Sequence, residues 1–301
     1  MPTERRSAET LGGALIALAA LQFGTVVVLG KVVQRHLSVP SMLALRYGIA
    51  ALVLVAALVV RRETVLPAPG ERLPLAALGM LGYAFESAMF FLGLRHGQAA
   101  AVTLLFFTYP VIVALASWAL GRGAPGWLLG GSLMCAVSGA ALVVLASGGL
   151  AIRPLGVVFA LLSAASFSGY LILADVVLKR TRPLAGAMWV SGWAAIGLTA
   201  YSLLAGQAQS PGDASQWARL GGMGFATAGA FACLFAGLIR LGPVRTAIVS
   251  AAEPLAAAVL AAVFLSEPIR ASVAGGGALI LIGAVAASLA RGRGPGEPPV
   301  P

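Results

Sequence analysis

The chain is 301 residues long, 59% apolar and only 10% charged, with a mean hydropathy of +0.95. Soluble domains carry about 25% charged residues, so a water-solvated globule is excluded and lipid is the solvent this composition fits. The formal net charge of +10 comes without any contiguous basic face interleaved with aromatics, which excludes a nucleic-acid partner.

Apolar runs long enough to cross roughly 30 Å of hydrocarbon predict ten spans, at about 11–33, 40–60, 73–94, 98–119, 126–146, 155–178, 184–205, 217–238, 244–264 and 271–290. The first comes after Arg5-Arg6 but is too long for a cleaved signal segment, so it is read as a retained helix. It carries Gln22, an amide that needs a partner in hydrocarbon. The second span holds Arg46 and the third holds Tyr83 and Glu86. Counted from the outer ends of their spans, Arg46 and Glu86 lie about 9 Å and about 12 Å deep. A charge at mid-membrane costs on the order of 3 kcal/mol and normally faces a partner or a cavity. Two readings are open: Arg46 and Glu86 pair and lock adjacent helices, or at least one touches substrate or a transported proton.

The fourth span carries Tyr109-Pro110. The fifth contains Gly130, Gly131, Ser138 and Gly139, and the tenth contains Gly275, Gly276, Gly277 and Gly283. Such small residues allow close helix approach in lipid, and with no ionisable group these two spans read as scaffold or lipid-facing helices. A Ser-Gly-Gly stretch within 147–154 joins the two halves. The sixth span holds Ser166 and Tyr170, and the seventh holds Trp189 and Trp193, read either as packing and interfacial aromatics or as cavity wall. The ninth holds Glu253 before Pro254, near the centre of the span. A mid-helix proline kinks a helix and frees a carbonyl, so Pro110 and Pro254 are candidate hinges. Glu253 could bind a cation or ammonium group, or stand neutral and inert. The Gly- and Pro-rich tail from Arg291 reads as disordered.

Other chemistries lack their residues. Cys135 and Cys233 fall inside spans, and His36 and His96 lie in separate loops without ligand neighbours, so neither a disulfide framework nor a metal site is supported. No phosphate-cradling GxxxxGK[ST] loop is present, which leaves ATP-driven transport unsupported. Catalytic clustering is absent too, so the chain is not expected to be an enzyme or to need a cofactor.

Shifted by 144 residues, the chain matches itself without a gap: Leu11-Gly12 meets Leu155-Gly156, Phe23 meets Phe167, Pro110 meets Pro254 and Gly139-Ala140 meets Gly283-Ala284. Five spans per copy invert the second copy, an architecture that recurs in secondary transporters. With the N-terminus inside, thirteen basic residues, among them Arg5, Arg6, Arg61, Arg62, Arg72, Lys179, Arg180 and Arg182, face inward. Six face outward: Lys31, Arg35, Arg95, Arg153, Arg219 and Arg270. That bias predicts a multi-pass protein of the cytoplasmic membrane with both termini cytoplasmic, in contact with anionic lipid.

The segment GLRHGQAAAVTLLFFTYPVIVALASWALGR (93–122) and its copy GLIRLGPVRTAIVSAAEPLAAAVLAAVFLSEP (237–268) resemble the EamA domain of the drug/metabolite transporter superfamily. Leu43-Ala44-Leu45-Arg46-Tyr47 resembles the family's second-span arginine motif, and Glu253-Pro254 with Ser266-Glu267 matches its second copy. The first copy departs, with Arg122-Gly123 where a loop glutamate is usual. The resemblance implies an all-α integral membrane protein of two inverted five-helix repeats, 11–146 and 155–290. It also implies a cavity lined by spans one to four and six to nine. The expected function is secondary transport of a small-molecule substrate, export of metabolites such as amino acids by alternating access, with a lipid or lipid-carrier flippase as the alternative. The candidate substrate-binding residues are Arg46, Glu86, Glu253, Gln22 and Tyr170, and a coupling proton is a candidate partner.

Overall fold

A computed structural model of the chain describes residues 2–119, 127–145, 152–177, 180–250 and 252–291. The expectations that concern Arg122, Lys179, residues 146–151 and the tail beyond Arg291 lie outside the described residues. The elements are α1 (Pro2–Val33), α2 (Val39–Val60), α3 (Arg72–Ala77), a π-helical turn (Leu78–Tyr83), α4 (Ala84–Arg95), α5 (Ala99–Phe106) and α6 (Tyr109–Ala119). They continue with α7 (Trp127–Leu145), α8 (Pro154–Val177), α9 (Pro183–Leu204), α10 (Ala214–Ser250), α11 (Ala252–Leu265) and α12 (Ala271–Arg291). Among the described residues the β contacts amount to one isolated bridge, Gly97 with Ile152.

Among the described residues four continuous helical runs, Thr10–Val33, Val39–Val60, Arg72–Arg95 and Pro183–Leu204, are long and apolar enough to cross a membrane. Burial is inside-out relative to a soluble protein. Leu52, Leu81 and Phe264 are each 70% exposed, whereas Arg46 and Glu86 are 3% and 5% exposed. Lipid takes the place of water around such a surface, and the few polar groups are gathered within.

The duplication is visible in the helix ends. α2 begins at Val39 with Ser38 as its N-cap and closes through Arg62 in the left-handed region (φ 53°), where the Glu63 amide donates to the Leu58 carbonyl at 2.9 Å. α9 spans the equivalent residues and closes through Gly206 (φ 64°), where the Gln207 amide donates to the Ser202 carbonyl at 2.8 Å. Both ends are Schellman closures. Glycine adopts this conformation freely and Arg62 bears the steric cost of its Cβ. α10 starts on a side-chain cap, with the Asp213 carboxylate accepting from Ser215 Oγ at 2.7 Å and the Gln216 amide at 2.8 Å. These bonds hold the exposed carboxyl below its usual range.

Three expectations need correction. The predicted fourth span is not one helix: it breaks at Phe107–Thr108 into α5 and α6. Pro110 is therefore not a mid-helix proline. It stands in the first turn of α6, where an amide would lack an intrahelical partner anyway, so the missing N–H costs nothing. Residue 251, between α10 and α11, lies outside the described residues. The predicted loop between spans eight and nine, about 239–243, is also absent, since α10 stays helical through Gly242-Pro243 to Ser250.

Helices α7 and α12 pack on each other through glycines. A Cβ on Gly139 would stand 2.9 Å from the Ile280 amide nitrogen, and one on Gly283 would stand 3.1 Å from that of Ala136. In lipid such close approach replaces the hydrophobic effect as the source of association, which suits the scaffold role. Polar ties join the halves at both ends of the bundle. At the end carrying the α2–α3 loop, here called proximal, Glu71 accepts from the amides of Arg180 (3.0 Å) and Thr181 (2.9 Å). At the opposite, distal end, Ser41 Oγ shares a hydrogen bond with Ser202 Oγ (2.8 Å) and donates to the Gln207 carbonyl (2.9 Å).

Candidate functional site

Arg46 projects from α2 into the bundle. Its Nε donates to Thr227 Oγ1 on α10 at 2.8 Å, and that hydroxyl donates back to the Met223 carbonyl at 2.7 Å, which fixes its lone pairs toward the arginine. The guanidinium carbon lies 4.7 Å from the Tyr47 ring centroid and 5.5 Å from that of Phe91, within cation–π range of both faces. Among the described residues the ion pairs are Lys31–Glu267, Arg61–Glu63, Arg180–Glu71 and Arg182–Glu63. The direct Arg46–Glu86 pair, one of the two readings of the sequence, is not formed. The two Nη groups of Arg46 have no hydrogen-bond partner among the described residues.

Glu86 is engaged instead by hydroxyls. Its Oε2 accepts from Ser87 Oγ at 2.8 Å, and its Oε1 accepts from Ser163 Oγ on α8 at 2.9 Å. Tyr47 shares a hydrogen bond with Ser87, so a chain of hydroxyls runs from α2 through α4 to α8. The π turn ends at Tyr83, whose ring packs against Tyr47 (5.6 Å), Tyr170 (5.2 Å) and Phe231 (5.5 Å) between centroids. A π turn inserts one residue per turn and rotates the helix beyond it, which aims Tyr83 and Glu86 at the same interior.

Glu253 stands at the start of α11, partly exposed. It has neither hydrogen bond nor ion pair to a described residue, and it lies within electrostatic reach of Arg46 and Glu86. Its repeat mate Tyr109 begins α6 and packs edge-on to Phe167 at 4.9 Å. α6 thus starts beside the same interior, and a helix start presents unpaired amides and a positive dipole end. Gln22 lies on α1 against Gly229 of α10, with its carbonyl oxygen buried and unpartnered.

Of the residues singled out in the sequence, Arg46, Glu86 and Tyr170 share one polar and aromatic cluster, with Glu253 in the same field. Gln22 contacts α10 at Gly229, two residues from both Thr227 and Phe231. Trp189 is placed elsewhere: its Nε1 donates to the Arg72 carbonyl at 3.0 Å at the proximal end, as interfacial aromatics do. Ser166 donates to its own helix at Leu162 (2.7 Å) and takes no part. Sequence reasoning missed Ser87, Ser163 and Thr227. The available signal was the spacing of Ser163, Phe167 and Tyr170, which puts three site residues on one face of α8.

Comparison with known proteins gives three findings. The model of the EamA-like transporter family matches residues 10–145 and again 154–289. A crystal structure described only as that of a protein is similar over 92% of this chain and 96% of its own, with a TM-score of 0.67 and 21% identity; it carries the fold alone. No curated protein matches.

Proposed function

Because the chain belongs to the EamA-like transporter family, part of the drug/metabolite transporter superfamily, we propose that it is a ten-span secondary transporter in the cytoplasmic membrane. In this reading both termini are cytoplasmic, the distal end faces outward, and small zwitterionic metabolites such as amino acids leave the cell chemically unchanged. The observation that carries it is a pair of charges in one interior with no partner among the described residues: the Nη groups of Arg46 and the carboxylate of Glu253. A desolvated guanidinium fork suits a carboxylate, and a free carboxylate suits an ammonium group or a proton. Glu86, saturated by two serine hydroxyls, supports the shape of the site.

Purified protein in proteoliposomes, offered a panel of labelled amino acids, is expected to catalyse saturable flux of some members. An apolar groove of about 570 Å³ between α2 and α9, lined by Ala44, Gly48, Leu52, Ala195, Thr199 and Leu203, could seat an acyl chain and favours the second reading, a lipid or lipid-carrier flippase. Lipid scrambling without flux of any soluble compound would select it.

Alternating access calls for moving parts, and the break before α6 and its repeat counterpart around Glu253-Pro254 are the candidates. Pro110 presets the first turn of α6. Pro110→Ala and Pro254→Ala are each expected to slow flux more than they weaken cargo binding, as read by transport against thermal-shift titration. Unchanged flux in both variants would remove the hinge role.

A further inference from the structure

Thr227 does more than join α10 to α2. It is fully buried, and it stands one helical turn after Gly224 on the same face of α10. A Cβ on Gly224 would stand 3.1 Å from the Arg46 carbonyl oxygen, so α10 runs against α2 at the arginine itself. That closeness lets a side chain as short as threonine reach Arg46 Nε. The hydroxyl proton is committed to the Met223 carbonyl, so the hydroxyl meets the arginine as an acceptor only.

The helix crossing does not depend on this bond. The repeat mate of Arg46 is Val190, and a Cβ on Gly79 of the π turn would stand 2.5 Å from the Val190 carbonyl oxygen. The symmetry-related crossing, between α9 and the π turn, thus sets a carbonyl on a glycine in the same way. There an apolar side chain stands where the first crossing has a guanidinium. Close approach at a glycine is enough to pack such helices in lipid. A buried arginine with its own acceptor is an addition to that packing, and the cost of a charge at this depth calls for another role.

A guanidinium offers a carboxylate two edges: Nε with one Nη, or the two Nη groups together. In this site Nε is spent on Thr227, and the Tyr47 and Phe91 ring centroids lie 4.7 Å and 5.5 Å from the guanidinium carbon. The bond fixes rotation within the guanidinium plane, and the rings restrict its tilt. What is left is the Nη–Nη edge, whose groups have no hydrogen-bond partner among the described residues.

We propose that Thr227 is a positioning residue for cargo: by taking Nε it closes the side edge of Arg46 and presents the Nη–Nη edge to a carboxylate. This rests on the transporter reading above and deepens it, because it makes the carboxylate the recognised group and sets one element of each repeat, α2 and α10, behind a single contact. Without the acceptor the guanidinium swings, and the entropy of fixing it falls on cargo binding. Affinity for a carboxylate then drops, while the rate of carrying bound cargo does not.

The test compares Thr227→Val, which keeps the branched outline and loses the acceptor, with Thr227→Ser, which keeps the acceptor. Each amino acid that the proteoliposome panel accepts is run beside the amine left by removing its carboxylate. Thr227→Val is expected to raise KM for the amino acid roughly tenfold. Its maximal rate, and its KM for the amine, should stay within about twofold of wild type. Thr227→Ser should return KM for the amino acid to the wild-type value. Equal losses for amino acid and amine, an unchanged KM in Thr227→Val, or a Thr227→Ser protein as impaired as Thr227→Val would each overturn the proposal. If Thr227→Val fails to fold, Thr227→Ala takes its place with the same expected outcomes. If the panel yields no flux, the transport reading falls, and the positioning role is decided in detergent by thermal shift with sodium butyrate against butylammonium chloride. Butyrate should stabilise wild type and Thr227→Ser, with about ten times more needed for Thr227→Val; equal responses to butyrate in all three would overturn it.

Discussion

Arg46→Lys should leave a folded protein whose KM for a cargo bearing a carboxylate rises roughly 10- to 100-fold, with far less effect on an amine of the same shape that lacks the carboxylate. Lysine keeps the charge but loses the planar fork, and it cannot donate from the Nε position to Thr227 at 2.8 Å while also reaching cargo. The comparison of the two cargoes in proteoliposomes is the check. An equal loss for both would mean that Arg46 holds helices through Thr227, Tyr47 and Phe91 and touches no substrate. Arg46→Met is a harsher version: it removes the charge that both Glu86 and Glu253 sense, and loss of folding is expected there because the carboxylates remain without a counter-charge.

Glu253→Gln should fold normally and abolish pH-gradient-driven accumulation of cargo while exchange of labelled for unlabelled cargo continues. The argument is the missing partner. Glu253 has no hydrogen bond or ion pair to a described residue, so an amide there breaks no described contact and removes an exchangeable proton and a negative charge. Glu86→Gln is expected to behave oppositely. Both oxygens of Glu86 accept hydroxyls, from Ser87 and Ser163, and an amide NH2 cannot accept, so one buried hydroxyl is left unpaired at a cost of about 1–3 kcal/mol. Thermal stability should fall in Glu86→Gln and hold in Glu253→Gln. Accumulation with unchanged pH dependence in Glu253→Gln would refute a proton or ammonium role for it.

Membership of the EamA-like family was legible from the residues themselves, because the arginine stretch at 43–47 and the Glu253-Pro254 pair both lie within the residues that the family model matches, 10–145 and 154–289. The partner of Arg46 was not legible. Depth along a helix comes from residue count, and that count puts Arg46 and Glu86 at similar levels. Which neighbour each meets depends on rotation about the helix axis, and that is set by packing. The π turn at Leu78–Tyr83 changes this rotation for Glu86, and no composition rule announces it. The three hydroxyls of the site were equally hidden, since a serine or threonine in an apolar helix often bonds its own backbone, as Ser166 does with Leu162.

By itself the sequence determined the solvent, the duplication and the start and end of α2 and α9, whose limits differ by the same offset of 144 residues. These are local or additive properties: apolar length sets a span, a proline or a left-handed residue sets an end, and a repeated sequence repeats them. Only the tertiary structure decided that span four breaks just before Tyr109-Pro110, that Arg46 bonds Thr227, and that Lys31 meets Glu267 across 236 positions of chain. In lipid no hydrophobic term distinguishes one helix face from another. Shape at the glycines and the need to satisfy a few polar groups then select the faces, and both depend on residues far apart in the chain.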